Sequence, residues 1–172
     1  GGNYNTDGRG SMGFFDVSGG DGAWRLTVPE YFEYPAGSAI VFQSVTVGLA
    51  GRTGAALTVG ASSTVTVAEA FTIANAATVT LGGGTDVTAG SMTVTGGSTV
   101  VCAGLNTAAQ VGGVWAGEGV SLGLGTLLVD ATSKITADGQ GYAGGAGGGN
   151  NGAGPGGGVW TGTYWAEGGG GY

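Results

Sequence analysis

One short pattern recurs along the first hundred residues of this chain: an apolar residue, a threonine and a second apolar residue. In an extended backbone the two apolar side chains of such a triplet point to one side and the threonine to the other. Val, Ile, Phe and Thr are also strong strand formers. The triplets are Leu26-Thr27-Val28, Val45-Thr46-Val47, Leu57-Thr58-Val59, Val65-Thr66-Val67, Phe71-Thr72-Ile73, Val79-Thr80-Leu81 and Met92-Thr93-Val94. The pattern predicts an all-β protein whose strands bury one face.

The spacing of the triplets predicts how the strands are connected. The triplets that begin at residues 57 and 71 are fourteen residues apart, and so are those that begin at 65 and 79. This recurrence favours a parallel β-solenoid (β-helix) with two short strands per turn and threonine ladders between adjacent turns about 4.8 Å apart. A β-sandwich is the alternative, but the Asp-Gly pairs that typically mark hairpins lie outside the triplet region.

The composition divides the chain into four segments. Residues 1–22 are rich in Gly, Asn and Asp and are predicted to form a loop or an irregular cap. Residues 23–47 hold a dense aromatic group and are predicted to contain the N-terminal cap and the first strands. Residues 48–137 form the predicted solenoid body. Residues 138–172 are mostly Gly, which is costly to order, so both a flexible tail and a tail docked on the body or on a neighbouring subunit remain open.

The large aromatic residues are the predicted anchors for contacts with other molecules. An aromatic side chain in Gly-rich surroundings loses little entropy for the area that it buries. The predicted interface or anchor residues are Trp24, Tyr31, Phe32, Tyr142, Trp160, Tyr164, Trp165 and Tyr172. Contact between copies is the preferred interpretation, and stacking on a sugar is the alternative.

The charge of the chain excludes several classes of function. Only four residues are basic against eleven acidic ones, which gives a net charge of −7. Nucleic-acid binding requires Lys and Arg to neutralise phosphates, and anionic lipids require them too, so neither partner is predicted. No run of eighteen apolar residues is present, so no membrane span is predicted. The chain begins with Gly rather than Met, and we expect it to be either processed or a segment of a longer polypeptide.

The inventory of reactive side chains argues against an enzyme. The chain has no His and one Cys, which removes His-dependent triads, His-ligated zinc, thiolate zinc sites and iron–sulfur clusters. Glycoside hydrolysis needs two carboxylates, and Glu30 and Glu33 are interpreted as solvated charges at the cap. No catalytic residue and no cofactor are therefore predicted. Calcium bound by Asp7, Asp16 and Asp21 is the remaining metal hypothesis, because acidic loops of extracellular β proteins use it.

The single cysteine, Cys102, lies in an apolar stretch, Val100-Val101-Cys102. A lone cysteine cannot form a disulfide within one chain. We interpret Cys102 as a buried small hydrophobe, with a bridge between two chains as the alternative.

One stretch carries a resemblance to known proteins: Ile135-Thr136-Ala137-Asp138-Gly139-Gln140-Gly141-Tyr142-Ala143-Gly144-Gly145. It resembles a sequence that recurs in large bacterial cell-surface and secreted proteins, in which a β-helical body alternates with Gly-rich loops. Val41-Phe42-Gln43-Ser44-Val45-Thr46-Val47 resembles the strand that precedes such a body, and similar Gly-rich segments occur in phage tail fibres. The likeness covers residues 40–158 and is one of composition. It implies an extracellular or cell-surface location and a structural or adhesive role.

The sequence as a whole predicts an extracellular structural protein whose mechanism is self-assembly. Copies would join into a filament, fibre or surface layer through strand edges or through the Gly-rich tail. The alternative is a glycan-binding adhesin or a phage tail-fibre module.

Overall fold

The computed structural model describes residues 12–20, 23–145 and 151–159, and these residues form strands and no helix. The strands are β1 (Phe14–Asp16), β2 (Arg25–Val28), β3 (Tyr31–Tyr34), β4 (Ala39–Phe42), β5 (Ser44–Val47), β6 (Ala56–Val59), β7 (Thr64–Ile73), β8 (Thr78–Leu81), β9 (Asp86–Val94), β10 (Thr99–Cys102), β11 (Ser121–Val129) and β12 (Lys134–Thr136).

The strands form two sheets that share one hydrophobic core. The first sheet has the order β1-β2-β5-β7-β9-β11, with β4 also paired to β7, and the second has the order β12-β10-β8-β6-β3. β1 pairs with β2 in the antiparallel sense, and every other strand pair of the described segments is parallel. Buried residues of both sheets belong to a single core cluster. The prediction of an all-β protein is confirmed, and its sheets are parallel.

The apolar-Thr-apolar triplets behave as the alternation predicts. In each of the seven, both apolar residues are buried and the threonine is partly exposed. Thr46 pairs with Thr27 on one side and with Thr72 on the other, and Thr72 pairs with Thr93. The predicted ladders of threonines between adjacent strands are therefore present.

The predicted fourteen-residue repeat is wrong. It would stack Val65 on Val79, whereas Val65 pairs with Val87, further along the chain. The reason lies in β7, which contains two triplets in one strand, with a register shift between Val67 and Ala70. Such a bulge bends a strand without ending it. The residues of this bulge therefore had the sequence pattern of a connection between two strands, although they lie within one strand.

Three buried hydroxyl side chains lie at the connections between strands, and all of them are hydrogen-bonded. Ser63 Oγ donates to the carbonyl of Gly60 (2.7 Å) and accepts from the backbone N–H of Ser38 (3.1 Å). Ser98 Oγ donates to the carbonyl of Thr95 at 2.6 Å. Thr85 Oγ1 also donates to the carbonyl of Gly60, at 3.2 Å. Because an unpaired buried polar group is costly, these bonds fix the connections against their neighbours.

Asp130 holds the turn that follows β11. Its carboxylate accepts hydrogen bonds from the backbone N–H of Gly96 (2.7 Å), from the backbone N–H of Thr132 (3.0 Å) and from Thr132 Oγ1 (2.9 Å). These bonds, led by the one from Gly96, hold the pKa of Asp130 well below its usual value of 3.8. Hydrogen bonds to a carboxylate favour its charged form, so the turn depends on ionised Asp130.

We expect Asp130 to make the stability of the protein sensitive to acid. The pKa is lowered in the folded state, so the contribution of Asp130 is fully present above the unfolded value of 3.8 and is lost as the pH falls below it. The Asp130→Asn variant should lack this pH-dependent contribution to stability, because asparagine does not ionise. The thermal midpoints of the two proteins, measured between about pH 6 and pH 2, should therefore converge towards low pH. A constant difference between the midpoints would contradict this role for Asp130.

Candidate functional site

Exposed apolar side chains occur on β1 and β11, the strands at the two ends of the first sheet, and also on β4 and on the connection between β10 and β11. Between residues 43 and 110, all of which the structure describes, no large hydrophobic side chain is exposed. The exposed ones are Phe14, Phe15, Val17, Trp24, Val41, Val111, Val114, Leu127, Leu128, Val129 and Val159. Surface hydrophobics that occur singly are ordinary, but a clustered group indicates an interaction surface.

The C-terminal end, defined as β11 and β12, is the less covered of the two. β11 pairs with β9 and β12 pairs with β10, and no other described strand pairs with either. Leu127 is the partner of fully buried Met92, yet it is 51% exposed. Val129 is likewise 36% exposed, whereas its partner Val94 is buried. Side chains that continue the buried core thus lie at the surface, on strands that have no described partner strand on one edge.

The N-terminal end, defined as residues 12–17 with β2 and β3, is partly covered by aromatic rings. Phe15 packs against Phe32 with centroids 5.6 Å apart and against Phe42 at 6.0 Å, and its own ring is 46% exposed. Phe32 also contacts Tyr34 edge-to-face at 5.1 Å, and burial raises the pKa of Tyr34 to about 12. Phe14, on the edge strand β1, is 58% exposed. The rings therefore cover the core at this end, and the surface that they present is itself apolar.

The structure brings together only some of the predicted anchors. Phe32 belongs to the aromatic group of the N-terminal end. Trp24, which immediately precedes β2, is 44% exposed. The Tyr31 hydroxyl donates a hydrogen bond to Glu33 at 2.6 Å. Tyr142 does not lie near these residues in the sequence, and its ring packs against Trp115. The remaining predicted anchors, Trp160, Tyr164, Trp165 and Tyr172, lie outside the described residues.

Several residues of the two ends were not found by sequence reasoning. Phe14 and Phe15 lie in the segment predicted as a loop or an irregular cap, where residues 14–16 form β1. Leu127 and Leu128 were included in the solenoid body, without a role at its end. A signal was available in their position, because Leu127, Leu128 and Val129 are three consecutive apolar residues shortly before the Gly-rich composition that begins at residue 138.

The structure describes one of the three predicted calcium ligands, Asp16. Asp16 accepts a hydrogen bond from the N–H of Ser18 at 2.9 Å, and Ser18 lowers the pKa of Asp16. Asp7 and Asp21, the other predicted calcium ligands, lie outside the described residues. No group of three His, Cys, Asp or Glu side chains gathers within residues 12–20, 23–145 and 151–159. Glu30 is exposed and accepts from Arg52 at 2.7 Å.

Cys102 ends β10 and is partly buried against the hydrophobic core. Burial raises the pKa of its thiol, so the thiolate that reacts with oxidants and electrophiles is disfavoured. This environment agrees with the interpretation of Cys102 as a small hydrophobe.

Comparison of the chain with protein-family models, curated proteins and solved structures finds no significant match. The resemblance of residues 135–145 to bacterial surface proteins therefore stays a prediction. The described residues include no helix long and apolar enough to cross a membrane.

Proposed function

We propose that this protein is an extracellular structural protein, a parallel β-solenoid whose copies join end to end into a filament, fibre or surface layer. The observation that carries the proposal is the exposed apolar side chains on β1 and β11, the strands at the two ends of the first sheet. The extracellular location rests on the resemblance of the Gly-rich stretch, and it is consistent with the low content of charged residues, 9%.

The strand register supports the solenoid. A solenoid requires each strand to pair in parallel with a strand one full turn later, and at any one turn the offset along the chain should be the same in both sheets. In the first sheet Val65 pairs with Val87, and in the second Leu57 pairs with Val79, so the two offsets along the chain are equal. The equal advance of both sheets supports one continuous winding.

The chemistry of the two ends supports growth in one direction. A free edge strand offers unpaired backbone N–H and C=O groups to another chain, and proteins that stay monomeric commonly block it with charges. β11 has no charged residue in its sequence SLGLGTLLV. When the contact joins two different ends, each copy that is added still presents one unoccupied end, so further copies can bind. Such a heterologous contact produces filaments, whereas a contact of one end with itself stops at a dimer.

Two half-blocked variants test the end-to-end contact. Leu127→Lys places a charge at the C-terminal end, and Phe14→Lys places one on the edge strand of the N-terminal end. We expect the wild type to polymerise and each variant alone to remain monomeric, because each has lost one of the two required surfaces. An equimolar mixture should form dimers and nothing larger, since it pairs the intact C-terminal end of one variant with the intact N-terminal end of the other. Sedimentation velocity and negative-stain microscopy measure these states.

A lysine in the middle of the strand order provides the matched control. Thr72 lies between Thr46 and Thr93 on the outer face of the first sheet, so Thr72→Lys adds the same charge away from both ends. This control should polymerise as the wild type does. Dimers of Phe14→Lys on its own would instead indicate a symmetric contact between two C-terminal ends. A monomeric wild type, or polymers of Leu127→Lys, would refute end-to-end assembly.

A further inference from the structure

One connection between the two sheets is much longer than the connections at the equivalent place. Residues 60–63 link β6 to β7 and residues 82–85 link β8 to β9, whereas residues 103–120 link β10 to β11. The extra residues form a small hairpin, in which Leu105 and Glu118 exchange two backbone hydrogen bonds of 2.8 and 3.0 Å. In repeat proteins, insertions of this kind gather on one face, which is often a binding face.

The chain returns to this hairpin after β12 and packs against it. Gly104 donates its N–H to the side-chain oxygen of Gln140 at 3.2 Å. Gly117 donates its N–H to the hydroxyl of Tyr142 at 2.8 Å, and Ala143 donates its N–H to the carbonyl of Thr107 at 3.2 Å. The two segments therefore stand side by side with fixed spacing.

A pocket of about 460 Å³ lies between the hairpin and residues 137–142. This volume is within the range of roughly 300–1,000 Å³ that is typical of sites for small molecules. Cys102 and Val120, which pack against the core, line its inner side. The Tyr142 ring lines another side, and Trp115 packs edge-to-face against that ring at 5.5 Å and 75°. The pocket thus combines an apolar base with an aromatic wall.

Three polar side chains complete the lining: Thr107, Glu118 and Gln140. Among the described residues the Thr107 hydroxyl makes no hydrogen bond and is available to a ligand, whereas a carboxylate oxygen of Glu118 lies beside Gly84, outside the lining. Tyr142 accepts from Gly117 and keeps its own hydroxyl proton for donation. The lining therefore offers hydrogen-bond acceptors and donors around an aromatic ring.

The charge of the lining selects the chemical class of the ligand. Among the described residues that line the pocket, Glu118 alone is charged, so phosphates and other anions near it would be repelled. A metal ion needs several ligands, and the described residues hold no group of three metal-binding side chains. A single carboxylate also lacks the partner that glycoside hydrolysis requires. A neutral molecule with many hydroxyls and an apolar face remains.

We infer that this pocket binds a neutral saccharide, with one pyranose ring packed on Tyr142 and its hydroxyls bonded to Thr107 and to the Tyr142 hydroxyl. Trp115 acts as a positioning residue, because it contacts Tyr142 and does not line the pocket. The inference goes beyond the proposed assembly, since it uses the hairpin and residues 137–142 rather than the two ends. Binding and assembly have separate measurements, so either one can fail while the other holds.

The single cysteine provides a reporter for occupancy. Cys102 lines the pocket, so a bound saccharide should slow its alkylation by iodoacetamide, which mass spectrometry follows on the intact protein. The probes are cellobiose, maltose and N,N′-diacetylchitobiose, with galacturonic acid as an anionic comparison. At least one neutral disaccharide should protect Cys102 in a saturable manner at up to about 10 mM, and galacturonic acid should not, because Glu118 repels it.

Variants of the aromatic wall decide whether protection arises in the pocket. Tyr142→Ala should weaken the apparent affinity by about tenfold or more, and Tyr142→Phe, which keeps the ring, should retain most of it. Trp24→Ala is the matched control, because Trp24 is an exposed aromatic residue that does not line the pocket. The inference is overturned if no neutral disaccharide protects Cys102, if galacturonic acid protects it equally, or if Tyr142→Ala and Trp24→Ala behave alike.

Discussion

Phe71→Ala is expected to lower the free energy of unfolding by about 3–5 kcal/mol, the usual cost of removing a buried phenylalanine. Phe71 is 1% exposed and pairs in register with Val45 on one side and Met92 on the other. Its ring therefore occupies the centre of the core, where closely packed neighbours on both sides leave little room to collapse into the cavity. Urea-induced unfolding followed by circular dichroism measures the loss.

The control for this substitution is Val41→Ala. Val41 lies in a strand of the same sheet but is 61% exposed, so its truncation should change the stability by less than about 0.5 kcal/mol. If Phe71→Ala fails to fold, Phe71→Leu keeps much of the side-chain volume and should cost less than about 1.5 kcal/mol. Equal effects at positions 71 and 41 would contradict a core centred on Phe71.

The strands and their buried faces could be predicted from the sequence because alternation is a local property. A triplet such as Val79-Thr80-Leu81 needs no distant partner to show which side chains share a face. The core residues of the seven triplets were therefore identified correctly. The threonine ladders could be predicted as well, since parallel pairing of similar triplets aligns their central residues.

The strand register could not be predicted in the same way, because it depends on residues far apart in the chain. Ala68-Glu69-Ala70 has the small and polar composition of a connection, but in the structure it lies within β7. Glu69 donates its backbone N–H to the carbonyl of Gln43, and its carboxylate accepts from the Gln43 amide at 2.8 Å. These contacts with the residue between β4 and β5 keep the bulge in the sheet, and no local pattern reveals them.

The candidate surfaces were predictable to different degrees. We could predict that strand edges would be available for assembly, because any sheet that is not closed leaves unpaired backbone groups at its edges. The sequence did not identify which residues lie at the C-terminal end. The hairpin beside the pocket did have a local signal, Val111-Gly112-Gly113-Val114. Both glycines have positive φ, 58° and 82°, as a two-residue hairpin turn requires. The contact of Tyr142 with Trp115 joins residues from separate segments, so only the folded chain reveals it.

Gly48 shows that glycine has a structural role inside the stack as well as in the C-terminal segment. It follows β5 with φ of +93°, and its N–H donates to the carbonyl of Val28 at 2.9 Å. A Cβ at this position would collide with the backbone carbonyl of Ala74, which belongs to the connection stacked next to it. The close spacing of neighbouring connections thus depends on the missing side chain.

Gly48→Ala is therefore expected to destabilise the protein through two separate terms. The left-handed backbone costs an alanine about 1–2 kcal/mol, and the displacement of the neighbouring backbone adds about 1–3 kcal/mol. Gly51→Ala separates the two, because Gly51 has a similar φ of +77° but a Cβ there would meet nothing within 4 Å. Urea-induced unfolding should show the larger loss for Gly48→Ala, and the difference between the variants measures the contact with Ala74. Equal losses would mean that the stacked connections are not held at this spacing in solution, and the continuous winding on which end-to-end growth depends would lose its support.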